Sequence, residues 1–139
     1  MKKAIIPIIF LAAVISCEND KSEKITCDSL ILINNDLYAN SPNDPLMISN
    51  ATLENDCLKI SFGASGCDSQ SWIIELIGSE EIIKTNPPQR SIRLSLRNNE
   101  DCLAALGRTM TFDLKPAQIS QGEIILNLQC WETPLRYKY

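Results

Sequence analysis

Six cysteines and no histidine set the chemistry open to this 139-residue chain. Thiols can bridge in pairs, bind metal or act as nucleophiles. Without histidine there is no Ser-His-Asp or Cys-His nucleophile, no imidazole acid or base, and no histidine zinc site. No C-x2-C spacing occurs among Cys17, Cys27, Cys57, Cys67, Cys102 and Cys130, which turns their use from zinc toward disulfides. Carboxylates are the other candidates, because two of them suffice for glycoside hydrolysis. Glu75, Glu80, Glu81, Glu100 and Asp101 are available, but nothing in the sequence sets their separation, and solvated charge is the simpler reading. Asn98 to Asp101 offers oxygen ligands in the wrong order for a calcium loop and reads as a polar turn. No catalytic residue, cofactor or metal site follows, and the expectation is that the chain is not an enzyme.

The thiol nearest the amino end has a different setting. Lys2 and Lys3 precede an uncharged run from Ala4 to Ser16, the parts of a secretion signal. Thirteen residues fall short of the roughly 20 a membrane-crossing helix needs. Val14-Ile15-Ser16-Cys17 then resembles the lipobox of bacterial lipoproteins, with a branched apolar residue three before the cysteine. The resemblance implies a lipid on the Cys17 thiol, cleavage just before it, and loss of residues 1–16. It therefore implies a membrane partner through that anchor, in the bacterial cell envelope and at the outer membrane. Residues 17–25 are polar and charged and form a flexible tether. Their acidic start resembles the surface-export signal of Bacteroidetes lipoproteins and serves equally as a plain solvated spacer, so the periplasmic or surface side stays open.

Loss of residues 1–16 removes two lysines and no acid, leaving 123 residues with 11 basic against 17 acidic, a formal charge of −6. That length suits one domain, residues 26–139. An acidic balance without a basic cluster argues against nucleic acid as a partner. Five cysteines remain in an oxidising compartment, so at least one thiol is free unless two chains pair.

The elements that must position these residues are strands. Ile92, Leu94 and Leu96 alternate with serines and arginines, which predicts a strand with Arg93 and Ser95 facing out. Leu58, Ile60 and Phe62 alternate likewise, as do Met110, Phe112 and Leu114, and Leu135, Tyr137 and Tyr139. Glu123 to Cys130 reads as one strand with Cys130 inward, where a free thiol packs as a small apolar group. Trp72 to Ile77 and Leu30 to Ile33 are apolar on both parities and suit central strands. Gly63 to Gly66 reads as a turn, and Leu103 to Leu106 as a single helical turn. Seven to nine short strands so spaced predict an all-β, antiparallel β-sandwich of Ig-like architecture with little helix.

Cys67 and Cys102 each lie just beside a strong strand, so a bridge between them would clamp two loops at one end of the sheets. Cys57 remains open to pairing with Cys27 or with Cys130. The same stretch resembles a group of small uncharacterised Bacteroidetes lipoproteins. The matches are Leu58 to Phe62, Ser65-Gly66-Cys67, Pro87-Pro88, Asp101-Cys102 and Phe112-Asp113-Leu114, over about residues 56–115. Members often carry a histidine where Gln70 stands, and another near Arg97 and Asn98, so no role for those histidines transfers here.

Gly63-Ala64-Ser65-Gly66-Cys67 resembles a nucleophile elbow, but no histidine can activate Ser65. Trp72 reads as core. Trp131 has outward parity and is the candidate contact for a protein or glycan partner, with packing at the core edge as the competing reading. The expected function is a non-enzymatic binding or structural module. An inhibitor of a hydrolase, presenting the Asn34 to Pro45 loop, is the alternative, and a carboxylate-dependent glycan hydrolase is third.

Overall fold

The computed structural model describes residues 26–139. The readings for residues 1–16, for the tether 17–25 and for Cys17 lie outside the described residues. Among the described residues no helix is long and apolar enough to cross a membrane.

The described chain is nearly all β. In order it forms β1 (Ser29–Leu30), β2 (Leu32–Ile33), α1 (Asn35–Asn40), β3 (Met47–Glu54), β4 (Cys57–Gly66), β5 (Ile73–Gly78), β6 (Gln89–Arg97), β7 (Ala104–Asp113), a 3-10 turn at Lys115–Ala117, β8 (Glu123–Leu128) and β9 (Leu135–Lys138). A four-stranded sheet runs β1-β7-β4-β3, and a five-stranded sheet runs β2-β5-β6-β8-β9. The sheets share one core, in which Leu58, Ile60, Phe62 and Phe112 of the first meet Leu76, Leu94, Leu96, Ile124 and Leu126 of the second. Each such side chain contributes about 1.5–3 kcal/mol by leaving water.

The purely antiparallel, Ig-like arrangement expected from strand spacing gives way to mixed sheets. β1 pairs parallel with β7, β2 with β5, and β6 with β8. The chain leaves the five-stranded sheet after β6, runs β7 in the other sheet, and returns as β8 alongside β6. A return of that kind makes neighbours point the same way. Leu30 to Ile33 is likewise no central strand. Two-residue pieces on either side of buried Ile31 edge one sheet and then the other.

Three further expectations change. Gly63 to Gly66 is not a turn, because β4 continues to Gly66 with an unbroken register from Gly63↔Gly107 to Gly66↔Ala104. Leu103 to Leu106 is not helical, because Ala104 to Leu106 pair with that end of β4. β8 stops at Leu128, and Cys130 sits in a turn at φ 63°, exposed rather than inward.

The largest departure concerns β6. Arg93 and Ser95 were expected to face water, yet they are 5% and 2% exposed. The segment from α1 to Pro42 lies over that side of the sheet. Asn34 starts α1 by accepting a hydrogen bond from the Leu37 N–H, and the chain turns away at Ser41-Pro42. Arg93 then collects the carbonyls at the end of α1: Nε donates to Tyr38 O at 2.7 Å, and Nη2 to Ser41 O at 2.8 Å and Leu37 O at 3.2 Å. Ser95 Oγ donates to Pro42 O at 2.7 Å. A planar cation satisfies several helix-end carbonyls at once, which suits this position.

Candidate functional site: a disulfide-braced sheet end

β4 and β7 finish their ladder at Gly66↔Ala104, and Cys67 and Cys102 bridge immediately beyond it, with Cα atoms 4.9 Å apart. The bridge joins neighbouring strands of one sheet. Glu100, two residues before Cys102, folds back into the turn that follows Cys67. Its Oε2 accepts the N–H groups of Cys67 at 2.6 Å, Asp68 at 3.2 Å and Ser69 at 3.2 Å. Its Oε1 accepts the Ser71 hydroxyl at 2.8 Å and the Ser71 N–H at 3.4 Å. Desolvation opposes ionisation of this carboxyl. The Ser71 hydroxyl and the N–H groups of Cys67, Ser69 and Asp68 outweigh it and hold the pKa down to about 2.

The supporting residues explain the local sequence. A Cβ on Gly66 would collide with Glu100 Oε2 and stand 3.0 Å from the Trp72 ring, so the strand must end on glycine for the carboxylate to enter. Trp72 is buried and packs against Phe62 with ring centroids 6.3 Å apart. Asn98 Nδ2 donates to Ser65 O at 2.7 Å, and the Asn98 N–H reaches Asp44 Oδ2 at 2.7 Å, which ties this end to the segment before β3. Arg108 Nη1 donates to Ser69 O at 3.0 Å.

Beside the brace an apolar groove opens at this end of the four-stranded sheet, and Leu46, Ala64 and Leu106 within it also pack against the core. Leu46 and Met47, with Gly63, Ala64, Ala105 and Leu106, line an open groove of about 440 Å³. Met47 is 76% exposed, and Leu103 stands out from the neighbouring turn. Small residues on β4 and β7 leave a trough between larger neighbours, the form that apolar contact surfaces take.

The other sequence candidates disperse. Trp131 is half-buried and packs against the core. Cys57 is bonded to Cys27 and is 4% exposed, and Cys130 is the one free thiol among the described residues. Cys130 borders a separate cavity of about 170 Å³ with Asp44 and Leu94. Glu100 and Asp101 lie at the end where β5 begins, while Glu80 and Glu81 follow its other end. Glu80 N–H donates there to Asn35 Oδ1 at 2.9 Å. Among the described residues no group of three or more acidic, cysteine or histidine side chains is placed to hold a metal ion. Ser65 lies within β4 opposite Ala105, with none of the strand-to-helix turn of a nucleophile elbow. Sequence reading missed the parts played by Glu100 and Arg93. The closeness of Asn98 and Glu100 to Cys102 in the sequence was the available signal for the first.

No protein-family model matches the chain, and no curated protein matches it. Solved structures do. A NigD-like immunity protein from Bacteroides caccae superposes with a TM-score of 0.59 at 9% identity, over 81% of this chain and 58% of that one. A protein of unknown function, DUF1344, from Bacteroides vulgatus gives 0.54 at 19% identity, over 80% and 56%. A putative toxin-related protein from Parabacteroides distasonis gives 0.52 at 17% identity, over 80% and 59%. The likeness is one of fold. This chain spans under two thirds of each of those proteins, and all three come from Bacteroidetes, the group whose small lipoproteins the sequence resembles.

Proposed function

We propose that this protein is a lipid-anchored envelope module that binds a protein partner and performs no catalysis. The observation that carries the reading is the pairing of an apolar groove at Met47 with a rigid, disulfide-braced loop end. Glu100, beside the brace, has its oxygens taken up by the protein's own N–H and O–H groups. A carboxylate so held is poorly placed to move protons for a substrate. The lipid on Cys17 and the outer-membrane location belong to the same proposal and rest on the lipobox resemblance.

An inhibitor or immunity role is the second reading. Two observations favour it: the fold likeness to the NigD-like immunity protein, and the fixing of the Asn34 to Pro45 segment by Arg93 and Ser95. A loop ordered before binding loses little entropy on docking.

The test is capture from native membranes by the wild-type protein and by a Met47→Lys variant, read by mass spectrometry. One partner retained by the wild type and lost by the variant supports the proposal. Equal capture by both removes the groove from it, and turnover of glycan or peptide by the purified protein removes the non-catalytic reading.

A further inference from the structure

The four sheet edges are unequal. β1 and β2 present two residues each, and β9 presents four, with Arg136 and Lys138 among them. β3 presents eight, Met47–Glu54, and carries no charge before Glu54. Alternate residues of an edge strand turn their N–H and C=O groups away from the sheet. Among the described residues, no backbone bond outside the ladder with β4 reaches β3. Natural edges of this length are ordinarily blunted by lysine, proline or a bulge, because an open one recruits another strand. Here the devices are a register shift between Ile48 and Asn50 and the single charge of Glu54 at the strand end, and Asn50–Glu54 remain regular against β4.

We propose that Asn50–Glu54 pairs antiparallel with the same segment of a second copy, centred on Thr52, joining two four-stranded sheets into one of eight strands. The side chains fit that register. Thr52 falls opposite Thr52 of the second copy, and Asn50 opposite Glu54, so each carboxylate meets an amide rather than another carboxylate. On the core side Ala51 falls opposite Leu53, a small apolar residue against a large one. Asn50, Thr52 and Glu54 are exposed in the single chain, while Ala51 is buried and Leu53 half-buried, so both faces of the strand keep their character in the pair. Such cross-strand pairs are the unit that stabilises a sheet. The two-fold relation makes one short strand sufficient as both surfaces of the contact.

Native mass spectrometry of the full chain released from mild detergent, over a concentration series, tests this directly. A concentration-dependent dimer is expected. Thr52→Lys and Thr52→Glu place like charges on the axis and should each weaken it by about fivefold or more. An equimolar mixture of the two should recover association as a heterodimer, which also shows that both variants remain folded. A wild-type protein that stays monomeric to about 1 mM overturns the proposal. So does a dimer indifferent to both variants, or a mixture no more associated than either variant alone.

Discussion

The Cys67 N–H points at Glu100 Oε2 from 2.6 Å, while the Cys67 side chain is bonded to Cys102 two residues beyond that glutamate. One turn is therefore held twice, by a covalent bond and by an ionised carboxylate. The folded pKa of Glu100 is about 2 against an ordinary 4.5. A depressed pKa adds stability that is complete above about pH 4.5 and is lost as pH falls toward 2. Glu100→Gln should lower the melting temperature at neutral pH, and its deficit against the wild type should shrink through that window. Melting curves from pH 7 to 2 check this. A deficit independent of pH would mean that the charge on Glu100 contributes nothing.

Removal of the brace itself has a larger effect. The Cys67–Cys102 bridge spans 35 residues, and a loop of that size stabilises by about 3–4 kcal/mol through the unfolded chain. The paired variant Cys67→Ser with Cys102→Ser should lose about that much in urea unfolding. Both cysteines are exposed, whereas Cys57 is buried. A mild dithiol reductant should therefore open Cys67–Cys102 before Cys27–Cys57, as thiol labelling and peptide mass analysis would show.

Arg93 holds α1 in place. Arg93→Ala leaves helix-end carbonyls without a donor against a covered sheet face and should cost about 2–4 kcal/mol. Hydrogen exchange across Asn35–Asn40 should accelerate and proteolysis should enter between Asn34 and Pro45. Arg93→Lys keeps the charge without the planar fork and should recover only part of the loss.

Cys17→Ser should abolish incorporation of radiolabelled palmitate and leave a chain that still carries residues 1–16, by intact mass. Uptake of label by the variant, or none by the wild type, would remove the anchor from the proposed function.

How far the fold was legible depended on which side of each strand was considered. The core faces of β4, β6 and β8 follow from Leu58, Ile60 and Phe62, from Ile92, Leu94 and Leu96, and from Ile124, Leu126 and Leu128, because burial of alternate residues leaves a period of two. The opposite face of β6 was not legible. Period-two reading assumes a wet side, and a segment some 50 residues earlier in the chain covers Arg93 and Ser95. Parallel pairing was hidden for a related reason, since the direction of a neighbour depends on excursions into the other sheet that leave no local mark. At the sheet end, Gly63 and Gly66 carried a turn signal, yet small residues also permit close strand approach. A Cβ on Gly63 would stand only 3.2 Å from Leu106 O. Glu100 looked like one acid among several because, apart from the Ser71 hydroxyl, its partners are backbone N–H groups, which carry no mark in the sequence.

The Cys27–Cys57 bond also decides how the domain bears mechanical load. β1 is a two-residue strand at a sheet margin, and tension entering through residue 26 would otherwise peel it away one bond at a time. The sulfur link diverts that tension to the first residue of β4, which is laced along its length to β3 on one flank and β7 on the other. Detaching β1 therefore leaves residue 27 still held to a strand that is paired on both sides.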